Sequence, residues 1–277
     1  MALFKNIYEW EVSRYQLSFL EQDALNNFSG KVTTNLIREL RGAVMVFQNI
    51  LYELWSKGLR LRIAPKGKKF TEIAECAELS RITNKKGECV YNDPNLEGFY
   101  WHRKKLFVVK EERITKPDAS NSKFTVFIHE FAHAIWFLVL DDLSKAEVLG
   151  IYLRACRLLG DKVCQGSEMY RNESEFFAYG FQQFVLPHRQ GKILDIRKRD
   201  FGFGTPIIEI ERELMAADKE SLKKTNIELF EFMERRFKDI IVPEFIMPRK
   251  ESPTSNDLVL KDLWLGTGLY EEIIHLG

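Results

Sequence analysis

The sequence predicts an α+β fold in which a small twisted sheet packs on one buried helix, with helical extensions before and after it. Three observations predict this. From Leu59 to Lys110, apolar residues recur with a period of two in short runs separated by turn sequences, the signature of strands. On either side, Lys31–Lys57 and Ser221–Ile240 carry apolar residues at helical spacing. Between them, Phe124–Leu140 (FTVFIHEFAHAIWFLVL) is almost wholly apolar and is interrupted by His129, Glu130 and His133. The pattern divides the chain into an N-terminal helical support (1–58), a central unit (59–190) and a C-terminal helical extension (191–277).

Residues 1–28 read as a helical arm, with Phe4, Tyr8, Val12, Tyr15, Leu17 and Leu20 loosely on a helical period, and Asn27 or Ser29 is expected to cap the next element. Lys31–Lys57 reads as one long amphipathic helix that Gly58 terminates. The runs LRLRIAP, FTEIAE, ECVYN, GFYWH and KLFVVK are then expected as strands, separated by the turn sequences Pro65-Lys66-Gly67, Asn84-Lys85-Lys86-Gly87 and Asn92-Asp93-Pro94-Asn95. GFYWHRKKLFVVK reads as a hairpin turning at Arg103-Lys104, its second arm an edge strand open to an extended peptide. Within it His102, beside Tyr100 and Trp101, reads as a packed hairpin residue rather than a ligand.

The loop Glu111–Ser122 is expected to cap the helix of Phe124–Leu140, and Lys145–Leu159 reads as another helix, ended by Gly160. Met169–Val185 (MYRNESEFFAYGFQQFV) combines carboxylates with an aromatic helical face. Beyond it, His188 and the basic stretch Arg189–Arg199 read as surface. Phe201–Pro206 is a turn rather than a phosphate loop, lacking the strand-to-helix context and lysine of a nucleotide site. Ile207–Ala217 and Ser221–Ile240 read as helices, Val242–Asn256 as a linker, and Leu258–Leu276 as a cover over the cleft.

Composition narrows the function classes. A 277-residue chain with 45% hydrophobic and 13% aromatic residues can bury a substantial core. Lys+Arg 41 against Asp+Glu 40 leaves a net charge of +1, so no global field steers the chain to nucleic acid, and no nucleic-acid partner is expected. The 17 residues of Phe124–Leu140, with a glutamate and two histidines midway, are too short and too polar for a membrane span. The opening MALFKNIYEWEV is broken by Lys5, Glu9 and Glu11 and has no signal-peptide core, which predicts a cytoplasmic protein, with leaderless export or delivery as an effector left open. Cys76, Cys89, Cys156 and Cys164 match neither a zinc-ribbon nor a redox spacing and read as reduced and mostly buried.

The chemistry is concentrated in HExxH. Residues at i and i+4 share one face of a helix, so His129 and His133 point the same way with Glu130 beside them. Burying three polar groups in so apolar a helix is costly unless something satisfies them, and a Zn²⁺ held by two neutral imidazoles does so, with Glu130 as the attendant base. Two histidines leave a catalytic zinc site one protein ligand short. Glu173 and Glu175 are the candidates. Glu175 is preferred, because Glu173 sits nearer the helix start and can serve as an N-terminal dipole partner.

HEFAH followed after 42 residues (175 minus 133) by NESEFFAYGF resembles the lethal factor-like (ATLF-type) catalytic domain of the gluzincin metallopeptidases, over roughly Gly98 to Val185. The resemblance implies a zincin-like metallopeptidase fold and hydrolysis of a protein or peptide substrate. It also implies one zinc ion on His129, His133 and Glu175, with Glu130 as general base and Tyr170 as the donor that stabilises the oxyanion. Two positions depart from the pattern. Tyr179 stands where the family often has an acidic residue four positions after the third ligand, and its phenol oxygen can still accept a hydrogen bond from an imidazole. Trp136 stands where related proteins tend to have a polar residue. These departures keep open a zincin-fold binding or structural protein with weak or no proteolytic activity.

Overall fold

Ser18 opens the first helix of the computed structural model, which describes residues 17–115, 125–159, 167–185 and 219–239. Its hydroxyl accepts from the Glu21 N–H while the Glu21 carboxylate accepts from the Ser18 N–H at 2.7 Å, a capping box at the head of α1 (Phe19–Asn26). The next cap is Thr33, not Asn27 or Ser29: its hydroxyl accepts from the Leu36 N–H at 3.1 Å and starts α2 (Thr34–Met45). Asn27 closes α1 instead. The single helix expected over Lys31–Lys57 is two, α2 and α3 (Gln48–Ser56), broken at Phe47, whose φ of −109° and ψ of 14° leave the helical region. The reason lies in packing. The Phe47 ring is fully buried and stacks on Phe131 at 4.0 Å between centroids, with Phe127 and Phe181 also against it. Periodicity runs through this position without seeing that tertiary demand.

Among the described residues the sheet has three strands, β1 (Arg60–Ala64), β2 (Gly98–Trp101) and β3 (Leu106–Lys110), in the order β1-β3-β2. β2 and β3 form the expected antiparallel hairpin, turning through a 3-10 segment His102–Lys104 with Lys105 left-handed at φ 49°. β3 is nevertheless the central strand and not the edge. β1, buried from Leu61 to Ala64, pairs with its free side in parallel, which leaves β2 at the edge. FTEIAE and ECVYN are not strands: 3-10 segments cover Phe70–Glu72, Ala74–Arg81 and Val90–Asn92, with a single bridge between Thr83 and Cys89. At the first of these runs a local polar contact accounts for the difference: the Glu72 carboxylate accepts from the Lys69 N–H at 2.7 Å, offering this backbone an alternative to a ladder.

Strand alternation gives the sheet two apolar faces. Leu61, Ile63, Phe107 and Val109 face the helical core, whereas Ala64, Phe99, Leu106 and Val108 form a second cluster with Phe70, Cys76 and Leu79. Burial pushes the Cys76 thiol up to about 12. Cys76, Cys89 and Cys156 are in no disulfide among the described residues, and of the three only Cys76 is buried.

After β3 come α4 (Glu111–Thr115), α5 (Thr125–Leu138), α6 (Asp142–Leu159), α7 (Glu173–Val185), α8 (Lys219–Thr225) and α9 (Ile227–Phe237). Asp141 accepts from the Ser144 N–H at 2.7 Å, so α6 starts three residues before the expected Lys145. Asn226 accepts from the Leu229 N–H at 3.0 Å and divides the expected Ser221–Ile240 helix into α8 and α9. One apolar core runs from Leu17 through α5 and α7 to Phe237. No helix among the described residues is long and apolar enough to cross a membrane. The readings at residues 1–16, the loop from 116, Cys164, His188, Arg189–Arg199, Phe201–Pro206, Ile207–Ala217, Val242–Asn256 and Leu258–Leu276 lie outside the described residues.

Candidate metal centre

α5 carries His129 and His133 one turn apart, and the α7 side chain that meets them is Glu175. α7 reaches this position through its N-terminus. A 3-10 turn over Glu168–Tyr170 leads in, and Asn172 caps the helix by accepting from the Glu175 N–H at 2.9 Å. One Glu175 carboxylate oxygen then lies 3.2 Å from His129 Nε2 and 3.5 Å from His133 Nε2. Ligand atoms of the three residues lie within 4.8 Å of one another, and Glu173 is not part of the group. Four ligands bound tetrahedrally at 2.0–2.1 Å stand about 3.3 Å apart, so these spacings fit a zinc ion. The donor set, two imidazoles and a carboxylate, fits it chemically as well.

The electrostatics agree with the geometry. Burial by itself would raise the Glu175 pKa, but hydrogen bonds from His129 and His133 overcome it and hold the carboxyl well below the usual carboxylate range. At His133, burial opposes the charged form, and the Glu175 hydrogen bond with the charges of Glu130 and Glu175 outweighs it, so the pKa rises. Glu175 is thus held as a carboxylate beside two imidazoles, and a cation bound among them would displace the proton that the same contacts favour on His133.

Around this group the other expected residues take different places. Tyr179, one turn after Glu175, is buried and meets the His129 ring edge-on, with centroids 4.6 Å apart and planes at 68°. Tyr170 is buried in the turn entering α7, its ring 5.6 Å from Phe176 and its carbonyl accepting from the Tyr152 hydroxyl at 3.0 Å. His102 is exposed rather than enclosed in the hairpin, and its ring stacks on Phe137 at 5.2 Å. Trp136 is buried against Phe177 at 5.3 Å.

Sequence reasoning passed over Gly98. A Cβ there would lie 3.0 Å from Val126 Cγ1, 3.1 Å from the Val108 carbonyl oxygen and 3.4 Å from Glu130 Cγ. The missing side chain lets the edge strand come up against α5 beside Glu130. A glycine heading a strand pattern was the available signal.

No protein-family model matches the chain, and no curated protein matches it. Among solved structures, the chain is similar to the Pro-Pro endopeptidase PPEP-2 from Paenibacillus alvei, with 17% identity and a TM-score of 0.46 over 76% of this chain and 95% of that one. So distant a likeness does not carry function from one chain to the other.

Proposed function

We propose that this chain is a zinc-dependent metallopeptidase of the gluzincin type, hydrolysing a peptide bond in a protein or peptide substrate. The observation that carries the reading is the convergence of His129, His133 and Glu175 from two helices, with Glu130 adjoining the first histidine. His129, His133 and Glu175 would hold the zinc, which when bound would supply a Lewis acid for the scissile carbonyl and for the attacking water. Glu130 takes a proton from that water and returns it to the leaving amine. Tyr170 donates to the developing oxyanion, a role supported by its place just ahead of α7 and by the sequence resemblance. Tyr179 steadies the His129 ring through edge packing, where related proteins use a carboxylate. The lethal factor-like subtype rests on HEFAH and NESEFFAYGF alone.

The test pairs metal content with turnover. The purified chain should bind one zinc and cut a denatured protein mixture, and a chelator should stop it. Glu130→Gln should keep the zinc and lose at least about a hundredfold in kcat/KM, the usual worth of a positioned base. Retained cleavage by that variant would remove Glu130 from the mechanism. Zinc binding without cleavage of any peptide would favour a zincin-fold binding protein, the reading that Tyr179 in place of a carboxylate supports.

A further inference from the structure

The line of His129 and His133 along α5 continues one turn further, on the same face, to Phe137. Phe127 and Phe131 of this helix are fully buried and Trp136 nearly so, yet Phe137 is 43% exposed. Its ring lies nearly parallel to two others, Tyr100 of β2 at 5.9 Å and 26°, and His102 at 5.2 Å and 23°. The three rings form an aromatic ledge beside the candidate metal centre.

β2 fixes where the ledge stands relative to the chemistry. Alternation turns Gly98 and Tyr100 toward α5, with Gly98 against Glu130 and Tyr100 against Phe137. Two strand residues, roughly 6.6–6.8 Å, therefore separate the base from the ledge. β2 is an edge strand: among the described residues it pairs with β3 alone. A peptide laid along its open side as an antiparallel strand runs opposite to β2, so the residues it brings to the ledge precede those it brings to Glu130. Residues directly opposite in an antiparallel pair share a face, so the side chain opposite Tyr100 points toward Phe137.

We propose that Phe137, flanked by Tyr100 and His102, is a specificity-determining residue that selects substrates with a bulky apolar side chain, aromatic above aliphatic, about two residues before the cleaved bond. This rests on the peptidase reading above. The exposed part of Phe137, with Tyr100 and His102 stacked on it, offers a substrate ring both area burial and an aromatic contact that alanine cannot supply.

The experiment has a cleavage arm and a binding arm, both on the full chain. A peptide library prepared from a protein digest is incubated with the zinc-supplemented protein, and residues around each cut are aligned. The same library is passed over immobilised Glu130→Gln protein, and retained peptides are identified. Expected are enrichment of Phe, Tyr, Trp and Leu at one position before the cut and, for Phe137→Ala, a roughly tenfold fall in the ratio of kcat/KM for the aromatic over the alanine peptide. Phe137→Leu, which keeps most of the bulk, should fall between the two. Zinc stoichiometry reports that each variant is folded. Cuts with no such enrichment, or an unchanged ratio in Phe137→Ala, would overturn the ledge and leave the peptidase standing. Aromatic capture that Phe137→Ala abolishes, without any cleavage, would keep the ledge as a recognition site and overturn the peptidase. Neither capture nor cleavage would overturn both.

Discussion

At the scale of single residues, Tyr179 separates two ways of supporting a candidate metal ligand, His129. A carboxylate in this position would hold an imidazole through a hydrogen bond, whereas the edge-on contact at 4.6 Å places ring against ring. If packing is the operative contact, Tyr179→Phe should bind zinc as the parent does, while Tyr179→Ala should lose about tenfold or more in affinity, the scale on which supporting residues act at metal sites. Equal losses in both variants, measured by competition with a chromogenic chelator, would assign the role to the phenol oxygen instead. Cys76 gives a second prediction at this scale. The thiol titrates near 8.5 when unfolded but is pushed up to about 12 by burial in the fold. A group whose pKa rises on folding favours the native state while protonated, and that contribution is lost as pH climbs through the window from about 8.5 to about 12. Stability to urea should decline across this window and decline less in Cys76→Ala, after allowance for the parent's greater packing. The convergence of His129, His133 and Glu175 was legible in sequence because an i, i+4 spacing sets both imidazoles on one helix face and few later carboxylates stand on an aromatic helical face that could meet them. Gly98 was not read, since what it permits is an approach between two elements far apart in the chain.

At the scale of elements, the close contact of α7 with α9 at Gly180 makes a test of packing against propensity. A Cβ on Gly180 would lie 2.4 Å from Leu229 Cδ2 and 3.1 Å from Leu229 Cγ, and Leu229 is fully buried with Met233 behind it. Alanine gains roughly 0.5–1 kcal/mol over glycine in a helix interior. Overpacking a filled core costs roughly 1–3 kcal/mol, so the clash should win. Gly180→Ala is expected to destabilise by about 1 kcal/mol in urea unfolding, and in a Leu229→Ala background the same change should become stabilising. A stabilising effect in both backgrounds would show that Leu229 has room to move. Legibility at this scale followed the range of the interactions. The β2–β3 hairpin was readable from its alternation and turn, and the longer helices from their period, whereas α4 forms at Glu111–Thr115 where a loop was expected. The break at Phe47 and the parallel pairing of β1 with β3 were not, because each is set by partners distant in sequence.

At the scale of the whole molecule, the question is whether the central region that carries the candidate site can stand without its flanks. The core argues that it cannot. Leu36, Ile37, Leu40 and Val44 of α2, and Ile50 and Leu54 of α3, belong to the same apolar cluster as Phe127, Phe131 and Ile135 of α5. Phe47 lies against rings from both α5 and α7, the two helices whose spacing sets the distance between the imidazoles and Glu175. From the C-terminal side, Phe237 of α9 meets Phe177 and Phe181 of α7 at 5.9 and 5.2 Å. The flanks thus hold α5 and α7 together from two sides. Truncating a buried phenylalanine costs roughly 3–5 kcal/mol, a large share of the 5–15 kcal/mol that keeps an ordinary domain folded. Phe47→Ala should accordingly lower stability by that amount and weaken zinc binding as well, although Phe47 is not itself among the candidate ligands. A fragment beginning at Leu59 should fare worse, unfolding without a cooperative transition and binding zinc weakly or not at all. Should that fragment unfold cooperatively and take up zinc with the affinity of the full chain, the N-terminal helices would be accessory, and α5 and α7 would hold their spacing unaided.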